Sequence, residues 1–395
     1  MLIITAIINH KVLYNVDMAE LFFTTADFVV AGQPQPGIPF LLDKEMIPLS
    51  PINGYLEYVC IESGRTRSQN TWKTYAYGLY HFVQWLDTFG YDWEKATVRD
   101  IANYRNAMQQ NPNVHGRDYQ ISTINGRLTI ILQFYKWTFT EGLIDHIPFS
   151  MRTVRVNRSD TFLKHVDASG GTMEVSDMHL RQYKRDYDFL LEPQVVAILE
   201  ILKRREQLEV AIMLESGMRR EEMIDLTVNQ IPDPSIYRSH KKAPITVIGK
   251  GRKQRTVFIS KTTLNELHKY IVWERPALLK KYKHKNATTT DKLWLTRTGT
   301  ELKKGTFNNI MRAVSKVTRI RANPHIFRHT FAYNYYHRTK DLARLQKLLG
   351  HSSPTTTAKY VHTVDADVEL GEELLFDHFN KMFFQTIAGY GEADG

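Results

Sequence analysis

Apolar positions along the chain fall into helical stripes and one alternating stretch. In SQNTWKTYAYGLYHFVQWLDTFG, Trp72, Tyr75, Leu79, Phe82 and Leu86 share one face of a helix that Ser68 can cap and Gly90 can end. Thr97 and Asp100 have the spacing of a capping box and open a second helix, VRDIANYRNAMQQ. From Ser122, STINGRLTIILQFYKWTFTEG lines up Ile124, Leu128, Ile131, Leu132, Tyr135 and Phe139, with Gly142 as the stop. A shorter helix around INGYLEYVCIES precedes them. Residues 49–150 therefore read as a four- or five-helix bundle whose aromatic stripe is core.

Residues 1–48 read as an extension that carries more acidic than basic residues, with QPQPGIP at 33–39 breaking any regular element. It is expected to pack on the next domain or on a neighbouring protomer. Residues 151–187 read as a basic linker, with Arg152, Arg155 and Arg158 ahead of a flexible Ser169-Gly170-Gly171. A second domain over 188–364 opens near FLLEPQVVAILEIL. Within it Ile245 and Val247, then Val257 and Ile259, alternate with polar residues, which predicts a β-hairpin with Lys250-Gly251 at its bend. LWLTRTGTELKKGTFNNIMRAVSKV predicts a short strand, a turn and a helix. Leu342, Leu345, Leu348 and Leu349 have helical spacing, and Gly350 stops that helix. In the tail, 365–395, Leu374, Leu375, Phe379, Met382 and Phe383 form one apolar helix face.

Composition narrows the class. With 395 residues and 43% hydrophobic content the chain is a folded protein with room for two or three cores. A formal net charge of +10 favours a polyanionic partner. The single cysteine, Cys60, excludes an internal disulfide framework or a cysteine-rich metal site, which fits a reducing compartment. The opening MLIITAIINHK has no basic residue ahead of its apolar run, and no stretch approaches membrane-spanning length. The expectation is a cytoplasmic protein with no membrane partner.

The chemistry concentrates between His325 and Tyr360. His325 and Arg328 are three residues apart, which on a helix starting near Pro324 places both on one face, where two cations call for an anion between them. Ser352 and Ser353 are N-cap candidates and Pro354 fits the first position of a further helix. His351 is then held in a tight turn between two helices, and Tyr360 follows about two turns later. One short segment can thus present two histidines, an arginine and a tyrosine to one anionic centre.

The run HIFRHTFA at 325–332, LLGH at 348–351 and Tyr360 nine residues after His351 resembles the C-terminal signature of the tyrosine recombinase (phage integrase) family. Two upstream segments extend the resemblance. Gly217, Met218, Arg219, Glu222 and Met223 match the family pattern of Gly-Leu-Arg, two variable residues and Glu-Leu, with Arg220-Glu221 where small or apolar residues are usual. Gly249-Lys250-Gly251 and the basic run after it match the family's lysine hairpin, whereas the spacing of a phosphate-binding P-loop is missing.

The resemblance implies a mainly α fold with a small β-sheet (α+β): a helical core-binding domain and a tyrosine recombinase catalytic domain, clamped on DNA. It implies a site-specific recombinase that cleaves and rejoins strands through a 3′-phosphotyrosine intermediate and a Holliday junction, with neither ATP, metal nor other cofactor. Tyr360 would be the nucleophile, Arg219 and Arg328 would hold the non-bridging oxygens, and His351 would donate to the same phosphate. His325 would accept the tyrosine proton and Lys250 would protonate the departing 5′ oxygen. Phosphate contacts are expected from Arg65, Arg67, Lys73 and Arg127 on the bundle, Arg155 in the linker, and Arg252, Lys253 and Arg255 on the hairpin. Expected partners are double-stranded DNA, a homotetramer on two recombination sites formed from monomers or dimers, accessory DNA-bending proteins, and a neighbouring protomer for the tail. Alternatives are a type IB-like topoisomerase, a chromosome-dimer resolvase of the Xer type, or a non-catalytic DNA-binding protein.

Overall fold

A computed structural model describes residues 19–64, 68–112, 116–155, 172–181, 188–249, 253–282 and 290–351, together with Thr357 and Tyr360. The chain divides into two compact units, Met1–Lys184 and Arg185–Gly395. The helices dominate, with small two-stranded sheets beside them.

In the first unit, β1 (Glu20–Phe23) pairs antiparallel with β4 (Pro39–Leu42), and β2 (Val29–Val30) pairs with β3 (Gln33–Pro34). The segment 33–39, expected to break regular structure, instead supplies one strand and starts another. Two-stranded sheets consist of edges, where a proline costs no ladder bond it would otherwise make. Leu41 is fully buried in the helical core. The Asn53 side chain serves its backbone as a strand would, accepting from Leu41 N at 2.7 Å and donating to Leu41 O at 2.8 Å. Residues 19–48 of the extension thus pack on the bundle that follows.

That bundle comprises α1 (Ser50–Glu57) with a π-helical turn at Tyr58–Glu62, α2 (Gln69–Phe89), α3 (Val98–Gln110) and α4 (Ile121–Thr140). Gly90 ends α2 in the left-handed conformation, and the Thr97–Asp100 capping box is formed. α4 begins one residue before Ser122. Phe139, expected on the buried face, is 48% exposed, and Phe134 is buried instead. The stripe drifts because Thr138 occupies the inward position of the last turn, its hydroxyl closing on Tyr135 O at 3.0 Å. Tyr55, Phe82, Tyr104, Phe134 and Tyr135 form the aromatic centre.

Part of the stretch 151–187 is ordered on this unit rather than linker. β5 (Met151–Arg155) and β6 (Thr172–Ser176) form an antiparallel ladder that pairs their facing backbone groups. The Asn125 side chain then clamps both backbone groups of Leu180, and Met178 is buried. Residues 156–171, with Arg158 and the Ser-Gly-Gly, lie outside the described residues.

The second unit contains α5 (Glu192–Ile201), α6 (Arg204–Ser216), α7 (Arg220–Ile224) and the hairpin β7 (Lys242–Ile248)–β8 (Gln254–Ser260). Then come α8 (Lys261–Lys269), a π-helical turn at Tyr270–Glu274, α9 (Arg275–Tyr282), α10 (Lys304–Thr318), α11 (Pro324–Thr339) and α12 (Leu342–Leu349). The short strand expected at 293 is reduced to isolated bridges, Thr227 with Lys292 and Leu295 with Glu301. Trp294 is fully buried there, its indole N–H donating to Met223 O at 2.9 Å, and single backbone bonds such as Leu293 N to Leu226 O at 2.8 Å hold the segment beside it. No helix among the described residues is long and apolar enough to cross a membrane.

Candidate functional site

The site is built where α6 ends. Gly217 takes φ +64°, and a Cβ there would sit 2.4 Å from the Phe331 ring, so the position needs glycine on both counts. The turn sets Arg219 just ahead of α7. Arg219 N donates to Glu222 Oε2 at 2.7 Å and its Nη1 to Glu222 Oε1 at 3.0 Å, while Nη2 reaches Gly350 O at 3.4 Å. Glu222 is buried, and Arg255 from β8 forks onto both its oxygens, Nη2 at 2.6 Å and Nη1 also in contact. Burial alone would raise the Glu222 carboxyl, but the hydrogen bonds and charges of Arg255 and Arg219 hold it below its ordinary value.

Arg328, on α11, is 5% exposed. Its Nη1 donates to Gly217 O and its Nη2 to Leu349 O, each at 2.6 Å, and Nη2 lies 3.1 Å from His351 Nε2. Burial, then the positive charges of Arg219 and Arg255, pushes this guanidinium down to about 9. Arg219, Arg255 and Arg328 outnumber Glu222 in the cluster, an imbalance that a bound anion would relieve. Arginine only donates, so the facing His351 nitrogen carries the lone pair and its Nδ1 hydrogen points at Thr357 Oγ1, 2.9 Å away. Burial and the nearby Arg328 lower His351 to about 4, which keeps the ring neutral.

Tyr360 is 2% exposed and packs with Phe331, Ala332, Leu345 and Leu349. Its hydroxyl lies 2.7 Å from Nδ1 of His329. The sequence had assigned the phenol proton to His325. That ring lies at the first turn of α11, where burial lowers its pKa in the field of Glu221, Arg220 and Arg328. His329 was not among the expected site residues; it stands beside Arg328 in the same HIFRH run, about 100° around the helix from it.

Of the expected DNA contacts, Arg255 is withdrawn: besides Glu222 its Nε donates to Leu348 O at 2.8 Å, so its donors face inward. Lys253 is exposed. On the first unit, Lys73 Nζ lies 5.5 Å from the Phe23 ring centroid and the Arg127 guanidinium 4.6 Å from that of Tyr119. Lys250, Arg252, Arg65, Arg67, Ser352, Ser353, Pro354 and the tail 365–395 lie outside the described residues, as does the Arg155 side chain. Among the described residues no group of three or more histidine, cysteine or acidic side chains is placed to hold a metal ion.

Two known families of sequence match. Residues 188–367 fit the phage integrase family and residues 52–142 its N-terminal SAM-like domain. The tyrosine recombinase XerD of Chlorobaculum tepidum is 27% identical over 311 residues, 78% of this chain and 90% of its own. Transposase A of transposon Tn554 from Staphylococcus aureus is 24% identical over 356 residues, 86% of this chain and 94% of its own. The XerH site-specific recombinase, solved bound to a palindromic difH substrate after cleavage, has the same fold at TM-score 0.53 and 18% identity, covering 79% of this chain and 84% of that one. The family match spans the unit in which Arg219, Arg328, His351 and Tyr360 were located, and the chain belongs to the phage integrase, or tyrosine recombinase, family.

Proposed function

We propose that this protein is a site-specific DNA recombinase of the integrase or transposon-recombinase type. The observation that carries the reading is the convergence of Arg219 and Arg328 on the turn at Leu349–His351, in a cluster with surplus positive charge. A phosphodiester brought to that turn supplies the missing negative charge. The two guanidinium groups bind its non-bridging oxygens, since each retains donors beyond those committed to the protein. His351, accepting from Arg328, helps to hold that guanidinium in place.

The Tyr360 oxygen attacks phosphorus and the bond to the 5′ oxygen breaks. Lys250 delivers the proton that this leaving group requires. The product is a 3′-phosphotyrosine link and a 5′ hydroxyl. A hydroxyl from the partner strand reverses the step, through a Holliday junction. The bond energy stays in the link, so the chemistry draws on neither ATP nor a metal.

Double-stranded DNA is the substrate, with phosphate contacts assigned to Arg65, Arg67, Lys73, Arg127, Arg155, Arg252 and Lys253. Four protomers would assemble on two sites, with accessory DNA-bending proteins where a site needs them, and the 365–395 tail would contact a neighbouring protomer. A role as an Xer-type resolvase is the second reading, favoured by the similarity to XerD.

The test is recovery of covalent protein–DNA adducts from producing cells under denaturing conditions, followed by sequencing of the attached DNA. Wild-type protein should yield adducts at defined sites, and Tyr360→Phe should yield none while still shifting the recovered duplex. Wild-type protein that forms no adduct would overturn the reading. Sites in a mobile element or in a chromosome terminus separate the two roles.

A further inference from the structure

The contact between His329 and Tyr360 assigns a residue to the reaction. We propose that His329 accepts the phenolic proton of Tyr360 as its oxygen attacks phosphorus, and returns that proton when the strand is rejoined. The inference rests on the recombinase reading above.

Geometry comes first. The Tyr360 hydroxyl is 2.7 Å from His329 Nδ1, inside the range required of a base and the proton it takes. A phenol approaching an imidazole donates its hydrogen when the ring nitrogen is bare, which places the ring's own hydrogen on Nε2. His329 sits in mid-α11, so its position is fixed by the same rigid element that carries Arg328. Arg328 and Tyr360 lie within electrostatic reach of one another, so the phenol is at the margin of the arginine cluster.

Burial and charge leave the ring in the form that can accept a proton. The ring is held neutral, at about 4, by burial, then by His325 and Arg328, with Asp188 opposing and Arg321 adding to the effect. Neutral imidazole is the form able to receive a proton. The protonated ring would give up its proton as readily as a carboxylic acid, so the transfer completes only as the phenolate commits to phosphorus. The incoming phosphate charge makes the ring a better acceptor at that moment. In the reverse step the same acidity returns the proton to the departing phenolate. The balance is simple: the O–H bond of Tyr360 breaks, an N–H bond forms at Nδ1, an O–P bond forms and the bond to the 5′ oxygen breaks. The 5′ oxygen takes its proton from Lys250, not from His329. His325 is left to contact the phosphate or its neighbours.

The experiment uses the full chain and a nicked suicide duplex built on the site recovered from wild-type adducts, with single-turnover attachment as the readout. His329→Asn keeps a hydrogen-bond acceptor near the Nδ1 position but cannot take a proton. His329→Ala keeps neither. Both should attach about 10²-fold more slowly than wild type, the usual range for loss of a general base, with duplex binding unchanged. Incorporating a trifluorotyrosine at position 360, whose phenol is more acidic, should restore His329→Asn by about tenfold or more and change wild type little. If His329→Asn matches wild type, or if the fluorinated nucleophile gives no rescue, the ring merely orients the phenol and the proposal fails. Wild-type protein that forms no adduct would instead overturn the recombinase reading itself, so the two failures are distinct.

Discussion

Arg255 and Glu222 meet through both guanidinium ends and both carboxylate oxygens, and the same carboxylate also receives the backbone and side chain of Arg219. One buried acid of α7 therefore ties the hairpin to the arginine just ahead of that helix. Arg255 further grips Leu348 O and packs under Gly350, where a Cβ would lie 3.0 Å from its Cδ. Removing Arg255 leaves a buried charge short of its partner, which typically costs about 3–5 kcal/mol. Arg255→Met should lower chemical-denaturation stability by roughly that amount, and Arg255→Lys should not restore it, because an ammonium cannot fork. Adding Glu222→Gln to Arg255→Met should recover part of the loss in a double-variant cycle, since the buried carboxylate charge is then gone and the Arg219 side chain, one third exposed, can turn to solvent.

At Gly217 a methyl group would collide with Phe331 and would also have to adopt a left-handed backbone. Gly217→Ala should destabilise the second unit by about 2–4 kcal/mol, the sum of overpacking and backbone strain. It should also weaken duplex binding, because the Gly217 carbonyl is one of the anchors of Arg328. A denaturation curve and a mobility-shift titration on the recovered site read the two effects separately.

Glu209 is fully buried beside Arg205, whose Nε lies 3.0 Å from its Oε1. Burial, offset in part by Arg205, raises its carboxyl to about 8 from an ordinary value of 4.5. The sign follows: between those values the folded chain holds a proton that the unfolded chain has released. Stability from this group is therefore full below about 4.5 and falls as pH rises toward 8. Glu209→Gln should remove that slope, so its melting temperature relative to wild type should improve from pH 5 to pH 8. A Glu209→Gln difference that stays constant across this range would show that the carboxyl is already ionised at pH 5.

Much of this arrangement was readable beforehand, because it rests on local rules. Asn323 caps α11 with Pro324 at its first position, Asp341 caps α12 and Gly350 ends it in the left-handed form, so the frame around Arg328 and His351 follows from short-range spacing. The hairpin at 242–260 followed from alternation with period two. What escaped depended on contacts between distant segments. Nothing near Arg255 in sequence announces Glu222, and a basic run invites a solvent-facing reading. The contact of the Tyr360 hydroxyl with His329 depends on which side of α11 the phenol lies against, a question of tertiary packing. The same is true of the extension, where prolines suggested irregular chain and Leu41 nevertheless found a place in the core.

The Asn53 amide that imitates a neighbouring strand for Leu41 has a practical corollary. A fragment cut at the apparent start of the bundle would strip away a fully enclosed leucine and strand a carboxamide shaped for it. Dissection of the amino-terminal unit should begin before Ala19, and a shortened version that aggregates would then be reporting a missing plug rather than an intrinsically weak bundle.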